Sequence, residues 1–170
     1  MERGFVQVYT GDGKGKTTAA LGLIARAIGA GLSVRMIQFI KSMEYHEIRT
    51  LRDLGVPVDQ FGRGCFITGE PEAEDRELAR EGLAFARTLF QREDLDLLVL
   101  DEINVAVALG LVSSDEVMEL VHAKPAGLEL VCTGRGAPAE LVDTADLVTE
   151  MTNVRHYYDA GVEARDGIER

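Results

Sequence analysis

The segment Thr10-Gly11-Asp12-Gly13-Lys14-Gly15-Lys16-Thr17 is the most informative part of this 170-residue sequence. An apolar run at residues 5–9 leads into the segment, and residues 18–27, which favour a helix, follow it. This order predicts a strand, a glycine-rich loop and a helix. Glycines let successive backbone N–H groups converge on an anion, and the N-terminus of the following helix adds positive potential. We therefore interpret residues 10–17 as a phosphate loop.

Side chains of the phosphate loop have separate predicted roles. Lys16 would supply a mobile positive charge to phosphates, and the hydroxyl of Thr17 is a candidate ligand for Mg²⁺. The strict pattern of such loops has glycine where this chain has Thr10, so the match is complete except at its first position. The predicted nucleotide-binding residues of this segment are Gly11, Asp12, Gly13, Lys14, Gly15, Lys16, Thr17 and Thr18.

The composition predicts a single domain over residues 1–170, since 46% of the residues are apolar and they can form one core. No signal-type or membrane-spanning stretch stands out, so we expect a cytoplasmic protein without membrane contact. The formal net charge of −11 argues against a broad nucleic-acid surface, which requires a basic excess. Cys65 and Cys132 are far apart, which favours reduced thiols over a disulfide framework or a zinc site.

Strand-like and helix-like segments alternate along the chain. This alternation predicts an α/β fold: a mostly parallel open sheet, flanked by helices on both faces, of the P-loop NTPase-like kind. A glycine-punctuated loop is expected at residues 62–69. Further strands are predicted at residues 33–40, 56–61 (an edge strand, because of Pro57), 95–100, 128–132, 147–151 and 160–164. Helices are predicted at residues 44–54, 71–92, from the capping box of Ser113 and Glu116 onward, and at 139–142.

Polar residues follow two of the buried strands. Asp101 and Glu102 come directly after one strand, and Arg135 lies between two glycines after another. Because the carboxyl ends of parallel strands meet at one edge of a sheet, these residues are expected near the phosphate loop. Thr17, Asp101 and Glu102 are the candidate metal ligands, and Arg135 could present its planar cation to phosphate.

From the sequence alone, these side chains could equally have purely structural roles. Acidic residues end many strands as solvent-facing termini, and Arg135 could be a turn arginine that faces water. Arg26 could form an ordinary surface ion pair, and His156 could be a base or a hydrogen-bonded structural histidine.

A phosphate loop also does not reveal which bond of a nucleotide breaks. Phosphoryl transfer by an ATPase or nucleoside kinase is the usual chemistry, and a non-catalytic nucleotide-binding protein is a further alternative.

Five motifs in order resemble those of the P-loop ATP:corrinoid adenosyltransferases, and the resemblance covers almost the whole chain. The first is the phosphate loop, whose missing first glycine is this family's own form. The others are Gln38-Phe39-Ile40-Lys41, Val99-Leu100-Asp101-Glu102, Thr133-Gly134-Arg135-Gly136 and Asp159-Ala160-Gly161-Val162.

The resemblance implies that ATP, held with Mg²⁺, donates its 5′-deoxyadenosyl group to a Co(I) corrinoid as second substrate. Lys16, Glu102 and Arg135 would then be the catalytic residues, and Arg26 a further nucleotide contact. The expected partners are a second copy of the chain in a homodimer and a transient reductase. Relatives have a Gly-Phe-Thr-Trp segment where this chain has Gly64-Cys65-Phe66-Ile67, so Cys65, Phe66 and Ile67 are the candidate corrinoid contacts.

Overall fold

Six parallel strands form a single open sheet in the order β3-β2-β4-β5-β1-β6. The structure is a computed structural model that describes residues 2–64, 67 and 69–169. The strands are β1 (Val6–Thr10), β2 (Val34–Lys41), β3 (Val58–Gly64), β4 (Leu97–Asp101), β5 (Glu129–Thr133) and β6 (Leu147–Glu150). The helices are α1 (Lys16–Gly29), α2 (His46–Asp53), α3 (Ala73–Leu89), α4 (Ile103–Ala108), α5 (Ser114–His122) and α6 (Ala139–Thr144). The predicted α/β sheet is confirmed, and β3 is an edge strand as expected.

The sheet is covered on both faces, as its non-alternating apolar strands predicted. On one face, Ala20, Ile24 and Ala27 of α1 pack with Met36 of β2 and Val99 of β4 in a buried cluster. The opposite face is covered by α3 and α5, whose buried side chains join those of the intervening strands in the larger cluster. Close packing of helices on both faces of the sheet fixes the positions of its strand ends relative to one another.

Local signals in the sequence account for several helix boundaries. Ser113 accepts a hydrogen bond from the Glu116 amide, and the Glu116 carboxylate accepts one from the Ser113 amide, so the predicted capping box is present. At the start of α3, the Asp75 carboxylate accepts a hydrogen bond from the Glu72 amide. The same carboxylate receives two hydrogen bonds from Arg63 of β3. Charge pairing therefore connects the beginning of α3 to the edge strand.

Two sequence-based predictions about elements need correction, and one helix was missed. Residues 62–64, predicted as loop, extend β3 because they pair with the end of β2. The strand predicted at residues 160–164 is absent. The chain instead forms a 3₁₀ helix, Tyr157–Ala160, which ends at Gly161 with φ 80°. The helix α4 was not predicted because its six residues include no charged face that would reveal helical periodicity. Across the described residues, no helix has the length and apolar character that crossing a bilayer requires.

Candidate active site

A cavity of about 910 Å³ lies at the carboxyl ends of the strands. Because every strand pairing is parallel, the segments that follow β1, β2, β4 and β5 all reach this edge of the sheet. The cavity is lined by the phosphate loop, by Lys41, Glu102 and Arg135, and by residues of the 153–169 segment. Its volume falls within the range of ordinary small-molecule sites.

The phosphate loop passes directly into α1. Gly15 precedes the helix with φ 124°, a backbone angle that residues with a side chain rarely adopt. The Lys16 ammonium donates hydrogen bonds to the carbonyl oxygens of Gly11 at 2.6 Å and Gly13 at 2.8 Å. Burial lowers the pKa of Lys16, the charge of Arg135 lowers it further, and Glu102 and Asp12 oppose this shift. Lys16 thus interacts electrostatically with three other predicted site residues, Arg135, Glu102 and Asp12.

Gly13 contacts the segment that follows β6. Its amide donates a 2.6 Å hydrogen bond to the carbonyl oxygen of Met151. A Cβ atom at Gly13 would lie 2.7 Å from that oxygen and 2.8 Å from the Thr152 carbonyl oxygen. A glycine is therefore required here for close packing against the protein's own backbone. One loop amide that the sequence suggested for phosphate is paired within the chain.

Asp101 is completely buried and accepts four hydrogen bonds. Thr17 and Thr133 donate to Oδ1 at 2.9 Å and 2.7 Å. Gln38 and Lys41 donate to Oδ2 at 3.0 Å and 3.4 Å. The carboxylate thus joins α1, β2, β4 and β5 at one point, and its charge is compensated by a neighbouring ammonium. Such a fully satisfied buried network fixes the geometry around it.

Glu102 leaves β4 with a left-handed backbone, φ 62°, and turns its side chain into the cavity. Its amide donates to Thr133 Oγ1 at 3.1 Å. Its carboxylate Oε1 lies 3.1 Å from the ammonium of Lys41. Burial alone would lower the pKa of Lys41, but the carboxylates of Asp101 and Glu102 raise it well above its usual range. Lys41 is consequently a fixed positive charge at the base of the cavity.

The 153–169 segment covers the outer side of the phosphate loop. The Lys14 ammonium donates to the Tyr157 hydroxyl at 3.2 Å, the Ile168 carbonyl at 3.0 Å and Glu169 Oε1 at 3.2 Å. Desolvation acts to lower the pKa of Lys14, but the hydrogen bonds to Tyr157 and Glu169 raise it above its usual value. His156 also lines the cavity, where its Nδ1 accepts a hydrogen bond from the Tyr158 amide.

Comparison with known proteins complements this geometry. Residues 2–170 match the family described as ATP:corrinoid adenosyltransferase BtuR/CobO/CobP. The chain belongs to this adenosyltransferase family. A corrinoid adenosyltransferase of Pseudomonas aeruginosa is 38% identical over 99% of this chain and 84% of its own length. One from Escherichia coli K12 is 36% identical over 99% of this chain and 86% of its own. A protein of Salmonella typhimurium named corrinoid adenosyltransferase CobA shows 36% identity over 99% of the chain and 86% of its own length.

Because the chain belongs to the adenosyltransferase family, it is a transferase. The structure brings most of its predicted site residues together at the cavity. Lys16, Thr17, Glu102 and Arg135 line one cavity, with Asp101 buried directly beneath Thr17. Asp12, Gly13, Lys14, Gly15 and Thr18 line the same cavity, and Gly11 contributes its carbonyl to Lys16. Arg135 is exposed there, available to a ligand that enters from solvent.

Two predicted site residues that the structure describes, Arg26 and Ile67, do not line the cavity. Arg26 is exposed in the last turn of α1, about 15 Å further along the helix than Lys16, and does not line the cavity. Cys65 and Phe66 lie outside the described residues. Ile67 is partly buried against the larger hydrophobic cluster rather than in the cavity.

Sequence reasoning missed several residues that organise the site. Lys41, Gln38 and Thr133 stood out only as members of family motifs. Gln38 had a detectable signal, because it is the polar residue within the otherwise apolar run 36–40, and it is completely buried. Lys41 had none, since a lysine at the end of a strand is ordinarily solvated.

The donor set fits Mg²⁺ in part. Thr17 donates its hydroxyl proton to Asp101, so the oxygen lone pairs are left for a cation, and the Glu102 carboxylate faces the same space. Within the described ranges, no group of three or more His, Cys, Asp or Glu side chains could hold a metal by itself. Mg²⁺ is usually bound by one or two protein oxygens together with water and phosphate oxygens. The site therefore suits a metal that arrives with a nucleotide better than a metal alone.

Proposed function

We propose that this chain transfers the 5′-deoxyadenosyl group of ATP to a Co(I) corrinoid and releases tripolyphosphate, in cobalamin biosynthesis or salvage. The observation that carries the proposal is the meeting of Lys16, Glu102 and Arg135 at one cavity in a chain of the adenosyltransferase family. Co(I) attacks the ribose 5′-carbon, a cobalt–carbon bond forms, and the carbon–oxygen bond breaks. The electron pair of the broken bond leaves with the triphosphate.

The residues present match what this reaction requires. Co(I) is already a strong nucleophile, so a general base is unnecessary. The protein must orient the 5′-carbon towards cobalt and stabilise negative charge on the leaving triphosphate. Lys16 and Arg135 provide two positive charges on the cavity wall. We assign them to the triphosphate.

Thr17 and Glu102 are the residues we assign to the Mg²⁺ that accompanies ATP. Asp101 would act beneath them by fixing the Thr17 hydroxyl, since its own oxygens already accept four hydrogen bonds. When bound, Mg²⁺ neutralises charge on the phosphates. The remaining assignments are a corrinoid surface that includes Cys65, Phe66 and Ile67, a homodimer, a transient reductase and a cytoplasmic location.

Product identity tests the proposed function. The purified protein is incubated with Mg-ATP and cobalamin that has been reduced to Co(I) under anaerobic conditions. We expect a light-sensitive adenosylated corrinoid and tripolyphosphate in equal amounts. Formation of ADP and orthophosphate would contradict the proposal and indicate phosphoryl transfer. Binding of ATP without turnover would indicate a non-catalytic nucleotide-binding protein.

The variant Lys16→Ala tests the role of the phosphate loop. It removes the ammonium that donates to Gly11 and Gly13, so transfer should fall sharply in a protein that remains folded. Lys124→Ala is a matched control, because the Lys124 ammonium likewise donates to backbone carbonyls, those of Gly4, Pro125 and Leu128, but lies outside the cavity. Equal loss of transfer in both variants would show that the effect is structural.

A further inference from the structure

Among the residues that the structure describes, two at this edge of the sheet have left-handed backbones without being glycine. They are Ile40, with φ 70°, at the end of β2, and Glu102, with φ 62°, after β4. For a β-branched residue such as Ile40 this conformation is a genuine outlier. Strained residues of this kind persist only where the surrounding structure holds them, and they concentrate at functional sites.

The strain at Ile40 determines where Lys41 lies. Ile37 and Phe39 belong to the larger hydrophobic cluster, so regular alternation would direct Lys41 into that cluster as well. Instead, the register between β2 and β3 shifts between Ile40 and Lys41. Ile40 then joins the cluster and Lys41 reaches the cavity. Gly62 permits the shift, because a Cβ atom there would lie 2.0 Å from the Ile40 carbonyl oxygen.

The ammonium of Lys41 lies between the two acidic side chains. It is 3.1 Å from Glu102 Oε1 and 3.4 Å from Asp101 Oδ2. The Lys41 side chain is 13% exposed, and the ring centroid of Tyr45 is 5.9 Å from its nitrogen. A positive charge is therefore held beside Glu102, the carboxylate to which the metal is assigned above, and beside the buried Asp101.

We propose that Lys41 is a positioning residue that takes the place of the divalent cation in the nucleotide-free site. It orients Glu102 and neutralises the acidic pair, so that free metal is not attracted and the metal enters together with the triphosphate. The phosphates then attract the ammonium and release Glu102 to the metal. This inference rests on the proposed function only in assuming that a metal–nucleotide complex binds at this cavity.

Binding of Mn²⁺ to nucleotide-free protein, followed by electron paramagnetic resonance of the free ion, tests the inference without corrinoid. In the variant Lys41→Met the carboxylates lose their internal cation, so Mn²⁺ should bind roughly tenfold tighter than to the unmodified protein. Lys41→Arg keeps the charge and should restore weak binding. Arg35→Met is the matched control, because Arg35 lies on the same strand and pairs with Asp59 away from the cavity. It should leave Mn²⁺ binding within about twofold, since the removed charge is distant and screened.

Several results would overturn the inference. One is unchanged Mn²⁺ affinity in folded Lys41→Met, and another is equal tightening in Arg35→Met. Lys41→Met could also weaken ATP binding in the presence of a chelator while leaving Mn²⁺ binding unchanged, which would make Lys41 a phosphate contact instead. If Lys41→Met does not fold, Lys41→Gln is measured instead. Tight binding of Mn²⁺ to the unmodified protein without nucleotide would by itself contradict the inference.

These outcomes are separate from those of the transfer assay. Failure of adenosyl transfer with the expected Mn²⁺ pattern would remove the proposed function and leave the role of Lys41 standing. Intact adenosyl transfer, with no Mn²⁺ binding to any variant, would support the proposed function and contradict the role of Lys41.

Discussion

The hydroxyl of Thr17 donates a 2.9 Å hydrogen bond to Oδ1 of Asp101, which joins the first turn of α1 to the end of β4. The proton is used on Asp101, so the lone pairs of the hydroxyl oxygen are directed away from the carboxylate. Thr17 is thereby held in one orientation before any ligand binds. Preorganisation of this kind is a large part of electrostatic catalysis.

The first prediction follows from this contact. Thr17→Val keeps the shape of the side chain but removes the hydroxyl, so kcat/KM for adenosyl transfer should fall about 100-fold, the usual effect of losing one preorganised polar group. Thr17→Ser keeps the hydroxyl and should retain most of the activity. Initial rates at saturating Mg²⁺ measure both. A similar loss in Thr17→Ser would point to a packing role for the methyl group.

A second prediction compares two glycines in helices. Gly22 of α1 has nothing within 4 Å of the position that a Cβ atom would occupy, so Gly22→Ala should raise the free energy of unfolding by about 0.5–1 kcal/mol through helix propensity. Gly82 of α3 has Phe39 Cε1 at 2.7 Å and Phe61 Cγ at 3.1 Å from that position. Gly82→Ala should therefore lower the free energy of unfolding by about 1–3 kcal/mol. Urea denaturation measures both, and stabilisation by Gly82→Ala would contradict the packing of α3 on β2.

The third prediction concerns the thiol of Cys132. It is completely buried in β5, and burial raises its pKa to about 12. The thiolate is the reactive form, so the folded protein should resist thiol reagents at pH 8. The measurement uses Cys65→Ser, in which Cys132 is the remaining cysteine. Labelling should accelerate only as urea unfolds the chain, and rapid labelling without urea would contradict the burial of β5.

A fourth prediction concerns acid stability. The Arg63 guanidinium lowers the pKa of Asp75 below its usual value. The resulting stabilisation is present above the unfolded pKa of about 3.9 and is lost as the pH falls through the lower folded pKa. Asp75→Asn should therefore lower the urea midpoint at pH 7 and reduce the further loss of stability in acid.

Asp94→Asn is the control for this acid effect. Asp94 pairs with Arg92 two residues away, a pair that is exposed. Exposed pairs contribute little to stability, so the urea midpoint should hardly change. Equal effects of the two substitutions would show that net charge, rather than the link between β3 and α3, governs acid sensitivity.

The strand–loop–helix unit and the parallel sheet could be predicted because they depend on local patterns. The apolar run before Gly11 and the apolar residues before Asp101 identify buried strands. Parallel pairing then places both strand ends at one edge. That general rule was sufficient to bring Lys16, Thr17 and Glu102 together.

Contacts that depend on irregular backbone could not be predicted from the sequence. Lys41 reaches the cavity through the register shift beside Ile40, and period-two alternation would have placed it elsewhere. The Gly13 amide pairs with Met151, a contact between distant residues that no local pattern specifies. Arg26, which only the family resemblance implied as a nucleotide contact, lies in the last turn of α1 and does not line the cavity, so this role stays a prediction.

The pairing of β1 has a consequence for the order in which the protein is made. This strand carries the phosphate loop, but its neighbours are β5 and β6, so Val6 pairs beside Leu130 and Thr10 beside Glu150. During synthesis on the ribosome, β1 cannot form its native pairings until β5 and β6 have emerged. The cavity is then among the last features to form during synthesis, and a ligand that binds there can stabilise only a chain that has been made at least through β6.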